Sequence, residues 1–377
     1  MKLISLRAVA VRVPVKRPTR ISTRALDKRD YVLVWARRED LEEEGLGYVY
    51  AGTSGGVLVA EAINGMLAPL LLGRSADDIV GAWDAMYQET LLHGRRGAVM
   101  RAISAVDIAL WDLSAKRAGL QLAVLLGGSA KPVAAYASGG YYRPETTSYA
   151  DAVTREIAGN LEGGFTDHKI KVGGLPVAED AVRVAAAVTA MEGRGRLALD
   201  ANNAYRTVAE AESALRAFEE AAGDMGLWWF EEPLSPDDVR GHARLRDRSR
   251  TPIATGEIAA SRWEFRDLIE HGAADILQPD AGVLGGITEF LRVAAAAATF
   301  ALPLAPHWHA NLHAHLSGAV TNCLTIEYFA PEKDIYNFEL LITPDTHLGA
   351  ADGRVLVPDR AGIGFEFQDD AVRRFAV

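Results

Sequence analysis

Short apolar stretches in the second half of this sequence end on a series of polar residues: Lys169 and Lys171, then Asp200, Glu231, Glu257, Asp280, His307 and Glu327. From Lys171 onward the steps are 29, 31, 26, 23, 27 and 20 residues, each about the length of one strand–helix unit. Asp200, Glu231 and Glu257 come in succession and supply hard oxygen donors. Such a trio favours Mg²⁺ over zinc and leaves positions open for water and a chelating substrate. Lys169 and Lys171, two apart, face the same way on a strand. Two buried ammonium groups side by side lower each other's pKa, which suits a lysine acting as a base. The plain alternative is that each residue merely caps the helix after its strand. That accounts for one or two of them but not for the set.

Four of the nine histidines, His307, His309, His313 and His315, fall in the stretch APHWHANLHAHL at 305–316. Only His307 has a strand-end address, 27 residues after Asp280. His309 and His313 have i, i+4 spacing and could hold zinc on a helix, but no cysteine or third ligand accompanies them. A second metal is therefore not expected, and His309 is assigned to the pocket lining. GTSGG at 52–56 matches the nucleophile elbow G-x-S-x-G, which makes a Ser54 hydrolase a remote alternative. That elbow normally crowns a parallel sheet, whereas Ser54 follows antiparallel-looking strands, so a glycine-rich turn over the mouth is expected instead. GRGRLA at 193–198 leads into a strand rather than out of one, so the dinucleotide reading fails on order.

These residues need elements to bring them together. Strand-like segments near 3–14, 30–37 and 46–51 precede helical patterns near 57–73, 76–91 and 98–118, an α+β arrangement over residues 1–130. From 131 to 330 eight short apolar segments, near 133–138, 167–172, 197–200, 227–231, 253–256, 274–278, 302–305 and 324–328, alternate mostly with helical stretches. That pattern predicts an α/β fold, a modified TIM-type (β/α) barrel whose C-terminal strand ends converge on one mouth. Residues 331–377 return to hairpin-like sequence and are expected to pack back on the N-terminal capping domain, completing it.

The 377 residues are 49% hydrophobic and 24% charged, with a formal net charge of −10, which argues against a nucleic-acid partner. The longest apolar run, 293–306, is too short to span a bilayer and contains proline, so no membrane partner is expected. The N-terminal stretch, interrupted by Arg7 and Arg12, reads as a strand and not as a signal peptide. One cysteine, Cys323, excludes an intrachain disulfide and reads as a buried structural thiol. A cytoplasmic homo-oligomer acting on a small carboxylate is the expectation.

The ordered set KIK (169–171), DAN (200–202), EEP (231–233), GE (256–257), PDAG (279–282) and the His307…Glu327 pair resembles the mandelate racemase subgroup of the enolase superfamily. A Lys or His base working with Mg²⁺ is a general property of that superfamily rather than something read from this chain. The resemblance implies that Asp200, Glu231 and Glu257 bind Mg²⁺ and that Lys171 is the base on one face of the substrate. It places Lys169 beside the substrate carboxylate, and His307, oriented by Asp280, on the opposite face. It has Glu327 hydrogen-bonding the carboxylate oxygen as an enediolate forms, Asn202 touching substrate or the metal surroundings, and Glu232 supporting the ligands from behind.

The implied chemistry is Mg²⁺-dependent removal of a proton α to a carboxylate. Dehydration of an aldonate or aldarate to a 2-keto-3-deoxy acid, a hydro-lyase reaction, is the commoner outcome in the resembling subgroup and is favoured. Racemisation or epimerisation by two bases is the alternative, and a non-catalytic binding protein is a remote one. The basic stretch KRPTRISTRALDKR at 16–29 is read as a cationic lid loop, with Arg20 or Arg24 contacting an acidic substrate.

Overall fold

The computed structural model describes residues 1–377. The chain opens with β1 (Leu3–Arg20), β2 (Ala25–Arg38) and β3 (Gly45–Tyr50), an antiparallel sheet in the order β1-β2-β3. The exposed edge of β1 is closed in part by one side chain. The Asn64 carboxamide accepts from the Ala8 N–H and donates to the Ala8 carbonyl, both at 2.9 Å. Asn64 lies in a π turn, Ile63–Leu67, between the helical segments Gly56–Ala62 and Ala68–Leu71. The helix expected over 57–73 thus takes its irregular turn where it pairs with a strand edge. Helices Ile79–Glu89 and Gly97–Ala118 follow. The second ends on Gly119 in the left-handed region (φ 65°), with Lys116 and Arg117 in its last turn beside the negative end of the helix dipole.

The stretch 16–29, expected as a loop, is mostly ribbon. After a register shift between Pro14 and Thr19, β1 and β2 pair out to Arg20 opposite Ala25, and only residues 21–24 form the tip. Val13, Val15, Thr19 and Leu26 are buried, and this alternation extends the strands past the prolines, which an edge strand tolerates. The ribbon reaches the second sheet. Arg20 and Tyr142 exchange backbone hydrogen bonds of 2.8 and 3.1 Å, and the Ser22 hydroxyl donates to the Ala201 carbonyl at 2.5 Å.

That second sheet is the barrel. β4 (Val133–Gly139), β5 (His168–Lys171), β6 (Leu197–Asp200), β7 (Phe230–Glu231), β8 (Ile253–Thr255) and β9 (Ile276–Leu277) run parallel, each paired with the next, and β10 (Ile326–Tyr328) pairs with β4. The stave expected over 302–305 is reduced to one residue. Leu304 bridges Leu277 on one side and Cys323 on the other, which closes the ring. Pro303 and Pro306 flank it and have no N–H to extend a ladder. Ser148, Thr207, Asp238 and Asp280 cap the helices that follow their strands, each accepting a backbone N–H of the first turn.

Beyond β10 the chain touches both halves. Ile335, Phe338, Leu341 and Phe365 pack with Tyr31, Tyr48 and Val34 of the N-terminal sheet, while Arg354–Val355 pairs antiparallel with the start of β4. The same apolar core continues into the barrel helices through Ile287, Phe290 and Leu312. No helix is long and apolar enough to cross a membrane.

Candidate active site

Parallel register places Lys171 opposite Asp200 and Asp200 opposite Glu231 at the C-terminal ends of β5, β6 and β7. Glu257 follows β8, and the four side chains meet at one mouth. One oxygen from each of Asp200, Glu231 and Glu257 lies within 4.8 Å of the others, and all three residues are buried. Burial, together with the neighbouring carboxylates, pushes Glu231 and Glu257 well above the usual carboxylate range. Oε2 of Glu257 and Oδ1 of Asn202 are buried without any hydrogen-bond donor. Orphaned hard oxygens and crowded like charges fit a divalent cation of the magnesium kind. The far oxygen of Glu231 is held by the indole N–H of Trp229 at 2.8 Å and the Gln278 amide at 2.7 Å. Glu232 turns away from the mouth and accepts from Thr255 (2.7 Å), the Gly256 N–H (2.9 Å) and Asn203 (2.6 Å). It is strained into the left-handed region (φ 42°) to do so.

The two lysines are both buried, and each also faces carboxylates that the sequence argument did not weigh. Lys169 Nζ lies 2.5 Å from Glu231 and 2.9 Å from Glu327, and Lys171 Nζ is in direct contact with Asp200. Burial alone would lower both pKa values. The carboxylates from neighbouring strands outweigh it and hold both ammonium groups charged. A cation on Asp200 and Glu231 would take up that negative charge and return the lysines to their mutual repulsion. The phenol rings of Tyr141 and Tyr136 face Lys171 and Lys169 at 5.1 and 5.2 Å.

His307 Nδ1 is 2.9 Å from Asp280, and Nε2 is 3.7 Å from Glu257. Burial would depress this imidazole, but the Glu257 charge and the Asp280 hydrogen bond raise it to about 9. The three-carboxylate cluster is thus flanked by Lys171 at its Asp200 end and by a cationic His307 at its Glu257 end. Glu327 accepts from the Trp308 N–H at 2.8 Å. Burial would raise Glu327, but Lys169 and His307 hold it at about 2, so in this state it accepts hydrogen bonds and cannot donate one. Trp308 sits at φ 70°, a strained backbone that points its N–H at Glu327.

The other histidines turn inward. His309 is fully buried, edge-on to Tyr48, with Nε2 3.6 Å from the far oxygen of Asp280. His313 Nε2 accepts from the Ala281 N–H at 3.2 Å, and His315 bridges the Ala123 N–H and the Ile363 carbonyl. Arg20 lies with its guanidinium 4.8 Å over the Tyr142 ring, and Arg24 is exposed at the ribbon tip. Ser54 lies exposed in the turn after β3 and hydrogen-bonds no histidine. Cys323 is half-buried, and burial raises its thiol to about 11. Sequence reasoning missed Gln278, Trp229, Tyr136, Tyr141 and Trp308. Gln278 and Trp229, each two positions from a named acid on the same strand face, were the ones a period-2 reading could have found.

The profile described as "Enolase C-terminal domain-like" matches residues 152–371, and that described as "Mandelate racemase / muconate lactonizing enzyme, N-terminal domain" matches residues 3–127. Arabinonate dehydratase from Saccharolobus solfataricus is 36% identical over 341 residues, covering 88% of this chain and 86% of the relative. A racemase from Streptomyces coelicolor solved with bound magnesium superposes with a TM-score of 0.90 at 31% identity, over 100% of both chains. L-Talarate dehydratase from Polaromonas, complexed with Mg and L-glucarate, superposes with a TM-score of 0.89 at 33% identity, over 100% of this chain and 97% of that one.

Proposed function

The chain belongs to the mandelate racemase / muconate lactonizing enzyme family, and from that premise we propose that it dehydrates an acid sugar with Mg²⁺, by removing the proton α to the carboxylate. The observation that carries this reading is the cluster of Asp200, Glu231 and Glu257 flanked by Lys171 and by the His307–Asp280 pair. A divalent cation held by the three carboxylates would supply electrostatic stabilisation of the charge that develops on the substrate carboxylate.

The remaining work falls to side chains of this chain. Lys171 Nζ takes the α-proton, and the electron pair left on the α-carbon delocalises into the carboxylate to give an enediolate. Lys169, between Glu231 and Glu327, donates to the carboxylate end. Glu327, 2.9 Å from Lys169 Nζ, anchors that lysine. As the enediolate collapses, the bond between the β-carbon and its hydroxyl breaks, and His307 Nε2 gives its proton to the departing oxygen, releasing water. The resulting enol ketonises to the 2-keto-3-deoxy acid. An imidazole whose Nδ1 is held by Asp280 and whose Nε2 faces the mouth suits this acid role. The same two faces allow racemisation if His307 returns a proton to the α-carbon, and the likeness to a racemase keeps that second reading in view.

The test is a screen of aldonates and aldarates with Mg²⁺, assayed for 2-keto-3-deoxy product and for exchange of the α-proton with solvent deuterium. Product formation from an acid sugar is expected. Exchange with epimerisation and no product assigns the racemase reading, and neither exchange nor product on any acid sugar overturns the proposal.

A further inference from the structure

Three arginines of this chain are buried to 2% exposure or less: Arg29, Arg38 and Arg183. Two of them have counter-ions. Arg38 pairs with Asp40 and Asp77, and Arg183 pairs with Asp180 while donating to two carbonyls. Arg29 has none. Its one hydrogen bond goes to the Tyr50 hydroxyl at 3.1 Å, and its Nε and Nη2 are buried without any partner. Two aromatic faces flank it, Trp308 at 4.5 Å and Tyr50 at 5.3 Å. Cation–π contacts offset only part of the cost of burying an unpaired guanidinium.

A second unpaired arginine lies beside it. Arg101, on the helix Gly97–Ala118, donates to the Tyr50 carbonyl at 2.7 Å and forms no salt bridge. Burial depresses its basicity, the charges of Asp280 and Glu257 partly restore it, and the Arg24 charge adds to the local positive field. Tyr50 therefore holds two guanidinium groups, one by its hydroxyl and one by its backbone. Arg101 is within reach of the Asp280 and Glu257 charges, and Arg29 lies between Trp308 and Tyr141, the ring that faces Lys171. Trp308, under Arg29, stacks on His307 with ring centroids 5.9 Å apart, and Asp280, whose charge reaches Arg101, is the partner of His307.

We propose that Arg29 and Arg101 bind a second, distal carboxylate of the substrate, so that the acid sugar is a dicarboxylate. This rests on the acid-sugar reading above and specifies its substrate class. The planar guanidinium fork matches the two oxygens of a carboxylate, and a ligand that fills the orphaned N–H positions of Arg29 satisfies what the fold leaves open.

The experiment compares a six-carbon aldarate with the aldonate of the same configuration, which differs only in carrying a hydroxymethyl group at the distal end. Binding to the Mg²⁺-loaded protein is measured by calorimetry and turnover by kcat/KM, for wild type, Arg29→Gln, Arg29→Lys and Arg101→Gln. The expected wild-type preference for the aldarate exceeds 100-fold, falls below 5-fold in either glutamine variant, and recovers partly in Arg29→Lys. The ligand-free Arg29→Met protein is expected to melt at or above the wild-type temperature, because an uncompensated cation has been removed. Equal use of aldonate and aldarate overturns the proposal, as does equal use of a 6-phosphoaldonate, an unchanged preference in the glutamine variants, or an Arg29→Met protein that melts well below wild type. Failure of the dehydration reading is separate: no acid sugar then gives product, while the calorimetric preference still decides what the arginines bind.

Discussion

Replacing Asp280 by asparagine tests the assignment of His307 with one atom. In the native site the two carboxylate oxygens are divided: Oδ1 accepts from the Gly282 N–H at 2.7 Å, and Oδ2 faces His307 Nδ1 at 2.9 Å. The Gly282 amide can only donate, so in the variant the carboxamide oxygen stays there and the amide nitrogen must face the imidazole. A donor then opposes the Nδ1–H of a protonated His307. The variant loses a charge-assisted hydrogen bond, about 1.5–3 kcal/mol, and leaves a buried donor unpaired, about 1–3 kcal/mol more. A total near 3–4 kcal/mol predicts a fall of about 10²–10³-fold in kcat for dehydration. The assay is steady-state product formation at saturating Mg²⁺, with deuterium exchange at the α-carbon measured in parallel. Exchange through Lys171 is expected to survive, and the pH at which activity fails on the alkaline side should move down, because His307 loses its proton more easily. A variant within about threefold of wild type in kcat, with an unmoved alkaline limb, refutes the acid role of His307.

Chelation with EDTA should abolish turnover and Mg²⁺ should restore it, with a stabilisation of about 2.7 kcal/mol at a hundredfold excess over Kd; turnover that survives thorough chelation removes the metal from the mechanism. His307→Asn should lower dehydration by about 10²–10⁴-fold while solvent exchange of the α-proton persists, and full dehydration by that protein would take His307 out of the reaction. Burial holds His315 at about 4, below its unfolded value of about 6.5. Its contribution is therefore present above pH ~6.5 and lost as pH falls toward 4. Between pH 8 and 4.5 wild type should lose about 2–3 kcal/mol more stability than His315→Gln in urea titrations, and equal losses would show that the imidazole is not held neutral.

The barrel was legible because each strand–helix unit delivers one polar residue to the mouth. Position along the chain is then enough to collect Lys171, Asp200, Glu231, Glu257, Asp280, His307 and Glu327. What stayed hidden depends on distances between strands. The charge state of Lys169 is set by Glu231 and Glu327, which lie 62 and 158 positions away in sequence. An argument from its neighbour at 171 alone therefore leaves out the two carboxylates that face its ammonium group. Alternation also failed at 302–305, where two prolines leave a single bridged residue, and at 16–29, where a register shift carries a ribbon past prolines that look like its end. Arg29 and Arg101 come from the N-terminal sheet and its longest helix. Their convergence on Tyr50 depends on how that sheet is laid against the barrel, which no periodicity records.

The apolar core that runs unbroken from Val34 and Ile103 to Phe290 and Leu312 has a consequence for how this architecture can be altered. Exchanging the N-terminal sheet for that of a relative would replace one wall of a shared interior, so such chimaeras should fail in folding before they report on selectivity. The four-residue tip at 21–24 is tied to the strand end beside Asp200 by the Ser22 hydrogen bond to the Ala201 carbonyl, and swinging the whole sheet away would expose that interior to water. Diversification of substrate range is thereby channelled to a few side chains rimming the mouth, while the packing beneath them is free to stay unchanged.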